Sequence, residues 1–260
     1  MLSHDPGILA RLPDAEHIVK VNLEELDIPE QFKGQSLSEN RFFLSSHCDN
    51  VTTDFVGVVS GRYEARYPFA PGLDQLDAVA SQLKPREYFT PWARTLRNKS
   101  ELELWVNTQD GVHPGMASVL NKLFDYSELN RVGTVFGGNQ LILPRAEWDQ
   151  FVQHWRTSFE KSIQNWGKEI PFSYRCWNCG SFKPNGFHTY GPKRHLGFLG
   201  ERITALFFAM HADLKPSTLG RITSYNQLFA RVFSRLSPKA LEMIWVTSKL
   251  PVRLSCKVCK

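Results

Sequence analysis

KRHLGFLGERITALFFAMHAD, residues 193–213, reads as a mostly buried helix with one acid inside it and three basic residues at its entrance. At about 100° per residue, Leu199, Ile203, Leu206, Phe207 and Met210 fall on one face, as in ordinary core packing. Phe198, Ala205, Phe208 and Ala212 form a second apolar stripe, and Glu201 falls among them. A carboxylate in apolar surroundings has to be paired, neutral or chemically employed.

Working upstream, residues 172–195, FSYRCWNCGSFKPNGFHTYGPKRH, are too rich in Gly, Pro, Cys and aromatics to form a long regular element. Lys183, Lys193, Arg194 and His195 gather there around Gly186, Gly191 and Pro192, at the helix entrance. Exposed N–H groups already make a helix N-terminus partly positive, so added bases suit an anion. A phosphate or pyrophosphate would accept those N–H groups while Lys193 or Arg194 neutralised it. The plain alternative is a solvated basic loop. Arg202 and His195 share another face of the helix and extend the network available to Glu201. For that acid, pairing with an arginine is the structural alternative to a chemical role.

Cys176 and Cys179 in CWNC, with Cys256 and Cys259 in CKVC, account for four of the five cysteines. Each pair presents two thiolates in the geometry of tetrahedral zinc, and together they complete a four-sulfur site. Such a zinc ion is structural, fastening the chain end beside the 172–195 loop. Free thiols or a redox pair are the alternatives.

Toward the N-terminus, residues 54–60, DFVGVVS, give the first strong strand signal. The preceding SLSENRFFLSSH reads as a short helix with Ser36 or Ser38 as its cap. The basic and aromatic loop GRYEARYPFAPG follows the strand, and open α/β sheets place ligands on such loops. Its plain alternative is a solvated turn. Leu73–Leu83 reads as a helix, Pro85–Phe89 and Leu102–Val106 as strands, and Met116–Phe124 as a helix. Gly133–Leu143 reads as a strand interrupted at Gly137 and Gly138. Trp148, Phe151, Val152, Trp155, Phe159, Ile163 and Trp166 recur at helical spacing between Pro144 and Gly167, the cleanest element of all. Ser217–Ser234 and Pro238–Val246 read as helices. No leading strand is obvious at the N-terminus.

With 260 residues, the chain is long enough for one large domain. Residues 1–170 read as an α/β core and 171–260 as a helical part completing the same domain. The net charge of +5 is spread along the chain, which suits an anionic ligand without requiring bulk nucleic acid. No leader pattern and no apolar run of roughly 18 residues occurs, so a soluble, cytoplasmic protein is expected. The phosphate-loop, dinucleotide, nucleophile-elbow and HExxH motifs are absent. His47 and Cys48 are adjacent, which by itself does not make a thiol nucleophile.

Three segments together, DFVGVVSGRYEARYP at 54–68, FGGNQLILPRAEWDQF at 136–151 and HLGFLGERITALFFA at 195–209, resemble bacterial glycosyltransferase-like proteins of the GT-A, nucleotide-diphospho-sugar transferase type. The resemblance implies a mixed sheet flanked by helices, and sugar transfer from a nucleotide-diphosphate donor to an unidentified acceptor. It places Ser60, Arg62 and Tyr63 at the donor strand end, Asn139 in the pocket, and Glu201 with Arg202 on the acceptor side. Many GT-A enzymes hold a divalent ion on an Asp-x-Asp that this chain lacks. Either cations such as Arg62, Lys193 and Arg194 take its place, or transfer activity is absent. A different class of function, a zinc-stabilised interaction or nucleic-acid-binding module, would use the 183–195 loop for phosphates and base stacking.

Overall fold

The computed structural model describes residues 1–3, 5–33, 37–67, 70–110, 115–136, 138–162 and 196–218, with 111, 163–166, 174–175, 182–183 and 195 as backbone alone. The strands are β1 (Leu2–Ser3), β2 (Val21–Asn22), β3 (Phe55–Val58), β4 (Glu87–Tyr88), β5 (Arg94–Thr95), β6 (Thr134–Val135), β7 (Leu141–Pro144), β8 (Tyr174–Arg175), β9 (Phe182–Lys183) and β10 (Lys215–Pro216). The helices are α1 (Pro6–Arg11), α2 (Asn40–Leu44), α3 (Tyr63–Arg66), α4 (Leu76–Ser81), α5 (Lys99–Thr108), α6 (Met116–Leu123), α7 (Arg145–Trp166) and α8 (His195–Met210). The class is mixed α/β.

Three strand pairs, β1 with β2, β3 with β7 and β4 with β10, are joined at single residues by the Leu2–Ser60 and Phe89–Ile142 bridges. The result is a mixed sheet in the order β2-β1-β3-β7-β4-β10. The β1–β2, β4–β10 and Leu2–Ser60 pairings are parallel, whereas β7 is antiparallel to both neighbours. Five strands therefore run one way and β7 the other. Leu2 is locked into place by its N–H to Val59 O and by Gly61 N–H to its own carbonyl, each at 2.8 Å. The leading strand that the N-terminal residues failed to signal is thus two residues long, too short for any periodicity. β5 and β6 form a separate antiparallel ribbon, and so do β8 and β9.

Residues 102–106 are helical, not the strand expected from their apolar content. The Asn98 side chain accepts the Glu101 N–H at 3.0 Å and starts the helix. Leu102 and Val106, four apart, are both fully buried, while Leu104 is exposed, so burial follows the helical repeat. The expected cap of α2 also differs. Ser38 has φ of 52°, and Glu39 occupies the cap position without a side-chain hydrogen bond. Ser36 lies outside the described residues.

α8 packs against α7 on one side and reaches β4 and the segment before β7 on the other. Phe207 meets Phe151 edge-on, and Phe208 packs on Tyr88 and Phe136. Residues Ile203–Ala209 are buried all round, as a helix between two apolar layers must be. Leu199 and Leu206 join Trp148, Phe151 and Trp155 of α7 in one hydrophobic cluster, so α7 and α8 share a core. The helices expected at 217–234 and 238–246 lie outside the described residues, apart from Ser217 and Thr218.

At the far end of this interface, His154 stands against Phe207, Phe124 and His211, and its Nε2 has no partner among the described residues. Burial, helped by His211 and Lys161, holds its pKa down at about 4. Protonation therefore favours the unfolded chain. The stabilisation is complete above the ordinary value of 6.5 and is lost as pH falls toward 4. Allowing for solvent screening, the loss is on the order of 2 kcal/mol. Urea midpoints measured between pH 7 and 4.5 should fall for the wild type, and His154→Leu should flatten that part of the profile.

Candidate functional site

The carboxyl end of β3 runs into a tight turn. Ser60 is buried, its N–H donates to Gln140 Oε1 at 2.7 Å, and its hydroxyl accepts the Arg62 N–H at 3.2 Å. Tyr63 N–H then donates to Ser60 O at 2.9 Å and starts α3. Arg62 is exposed, and Tyr63 is buried with its hydroxyl unpartnered among the described residues. Burial raises its pKa, so the phenol stays protonated. Gln140 Nε2 is a second buried donor without a partner there. Two such unsatisfied donors on residues flanking one turn are unusual in a folded protein.

The sheet order gives this turn its significance. From β1 the chain goes first to β2 on one side and later to β3 on the other. β1 and β3 thus form the point where strand order reverses, and ligands of open α/β sheets bind outside the carboxyl ends of strands at such a point. Ser3, Ser60 and Gly61 occupy those ends. Gly61 fits because a Cβ there would lie 2.7 Å from Ile8 Cγ2 and 3.2 Å from Ser3 Cβ.

Glu201 and Arg202 lie one and a half turns inside α8. Their side chains are 20% and 16% exposed, so the acid is half-open to solvent. Arg202 Nη1 is 3.7 Å from Glu201 Oε2, and Arg202 Nε has no hydrogen-bond partner among the described residues. Burial lowers the arginine pKa while Glu201 opposes the shift. Tyr67, at the end of α3, has its phenol pKa raised mainly by burial; Arg66 opposes the shift, and Glu201 and Glu39 add to it. Burial is the main cause, and the Glu201 charge is a smaller contribution to the shift. Glu39, which sequence reasoning missed, brings a second carboxylate. Its only sequence signal is its place just ahead of the FF pair of α2.

Asn139 sits at the centre of a buried chain of hydrogen bonds. Its Nδ2 donates to Asn40 Oδ1 at 2.8 Å, and its Oδ1 accepts the Thr204 hydroxyl at 2.7 Å. Asn40 Nδ2 in turn donates to Gly197 O at 2.7 Å. At 1% exposure, Asn139 joins α2 to α8 and holds the Glu201 helix in position. Its neighbour Gln140 is the residue that meets the Ser60 turn.

Lys193 and Arg194 lie outside the described residues, as do Cys176, Cys179, Cys256 and Cys259 and the His195 side chain. β8 and β9 bracket the CWNC segment. Among the described residues, no cluster of His, Cys, Asp and Glu could hold a metal ion. Cys48 is buried and its thiol is pushed up to about 12, so it is no nucleophile. No described helix is long and apolar enough to cross a membrane. Compared with family models, curated proteins and solved structures, the chain matches none.

Proposed function

We propose that the protein transfers a sugar from a nucleotide-diphosphate donor to an acceptor hydroxyl, within a GT-A-like mixed sheet. The observation behind this reading is that the Glu201 charge adds to the burial that raises the Tyr67 phenol, on the segment leaving β3 at the strand-order reversal. The resemblance assigns those two segments to acceptor and donor, and they come from positions about 140 residues apart in the chain.

The donor diphosphate would lie outside the Ser60–Arg62 turn, where Arg62 supplies positive charge without a metal. Lys193 and Arg194 precede α8 in sequence and are the further cations proposed for it. Glu201 takes the acceptor proton as the acceptor oxygen attacks the anomeric carbon. The bond from that carbon to the phosphate oxygen breaks, and the nucleoside diphosphate leaves with the electron pair. A single displacement of this kind inverts the anomeric configuration. Arg202 steadies the charge of Glu201 before the proton moves.

A thermal-shift series with nucleotide sugars, with and without manganese, tests the reading. The matching donor at a hundredfold excess over Kd should stabilise by about 2.7 kcal/mol, a rise of about 5 °C or more. An unshifted midpoint with every donor, together with steeply salt-dependent oligonucleotide binding, would instead favour the zinc-stabilised nucleic-acid module.

A further inference from the structure

A cavity of about 400 Å³ lies at the amino-terminal end of β1 and β3, where Met1, Asp54 and Phe55 contribute to its wall. The Ser60–Arg62 turn stands at the other end of the same strands. Its walls are apolar, supplied by Ile18, Val19, Phe55, Val56, Leu76 and Ala80. They come from both hydrophobic clusters of the molecule, so the cavity is a gap between two packed cores. Val19 is 69% exposed at its edge, an unusual position for a large aliphatic side chain.

The charge around it is one-sided. Glu16, Asp54 and Asp77 line the cavity as exposed carboxylates, and no lysine or arginine does. Lys20, the nearest base along the chain to the 16–19 wall, is held by Asp14 at 2.5 Å. The remaining ionisable groups are the amino terminus of Met1, which donates to Val19 O at 2.6 Å and whose pKa burial lowers to about 6, and His17 and His47, the latter with its Nδ1 3.9 Å from Asp27. Three acids without a lysine or arginine are notable in a chain of net charge +5. A volume of this size takes a small organic molecule. An anion would be repelled from the rim, and a neutral apolar molecule would leave the acids unused.

We propose that this cavity binds a small organic cation, an ammonium group carrying an apolar chain. The chain fills the gap between the clusters while the ammonium stays at the rim beside Asp54 and Asp77. This site is separate from the transfer site, and it stands whether or not the protein transfers sugars.

Titration of the full chain with octylammonium, octan-1-ol and octanoate, followed by amide chemical shifts, separates charge from apolar fit. Octylammonium should bind about tenfold or more tightly than octanoate at low salt and lose that advantage as salt is raised. Shortening the chain toward butylammonium should weaken binding about fourfold per methylene removed. The double variant Asp54→Asn, Asp77→Asn changes only exposed side chains, and should bring octylammonium down to the affinity of octanol without affecting octanol itself. Ala80→Trp should weaken all three. Octanoate binding as tightly as octylammonium, an unaltered cation affinity in the double variant, or no binding of any probe at millimolar concentration would each overturn the proposal.

Discussion

Glu201→Gln is expected to lower sugar transfer by about 10²- to 10⁴-fold, the usual worth of a positioned general base. The substitution keeps the shape of the side chain and its ability to accept a hydrogen bond, and removes its charge and its ability to take a proton. Glu201 is partly exposed and its partner at 3.7 Å is a neighbour on its own helix, so the lost charge is felt by Arg202 and not by the core below. The unfolding midpoint should fall by about 2–4 °C, the cost of roughly 1 kcal/mol for leaving a partly exposed pair without one charge. Loss should fall on kcat, with KM for the donor nearly unchanged, because the proposed mechanism puts the acid at the acceptor and not at the diphosphate. The acid limb of the pH–rate profile should vanish in the variant. Turnover equal to the wild type would remove Glu201 from the mechanism, and a collapse of the midpoint would make it a structural residue.

Gly133→Ala should destabilise the protein by about 3 kcal/mol or more, the upper range for an overfilled core. A Cβ at Gly133 would stand 2.3 Å from Phe208 O and 3.2 Å from Ala212 Cα, both backbone atoms that no rotamer change can move. The same residue donates its N–H to Ala209 O at 2.7 Å and accepts the Leu96 N–H at 3.0 Å. Relief by pulling the segment away from α8 would cost the bond to Ala209 O. Gly57→Ala is the control, because its Cβ would press only on the Ile142 side chain, at 3.0 Å. Urea unfolding of the two variants should separate them by at least about 2 kcal/mol. Equal midpoints would mean that α8 can shift without loss.

The long helices were legible because burial repeats along them. Trp148, Phe151, Trp155 and Phe159 announce α7, and Leu199, Ile203 and Leu206 announce α8, through spacings of three and four. α5 was misread because five residues, LELWV, fit two periods equally well; its deciding signal was the Asn98 cap upstream. β1 and β2, at two residues each, carry no period at all. Ser60, Arg62 and Glu201 were named from sequence as candidates, and the Glu201 charge is a lesser cause, after burial, of the raised Tyr67 phenol on the loop beyond Arg62. Asn40 could not be found in this way, because its partners Gly197 and Asn139 are 157 and 99 residues distant. Glu201 looked enclosed by apolar neighbours on a helical wheel. It is half-open because the helix is fully buried only from Ile203 onward.

The single-residue bridges of the sheet also set an order of events during synthesis. β1 meets β3 through residues 58 apart, β3 meets β7 across more than 80, and β4 waits for Lys215 and Pro216. No pair in the order β2-β1-β3-β7-β4-β10 is a local hairpin, so little of the sheet can form while the chain is still emerging from the ribosome. Tyr88 and Phe136 have no Phe208 to cover them until α8 has been made. A nascent chain halted before residue 200 would expose that aromatic surface to the cell, making such intermediates natural clients for chaperones.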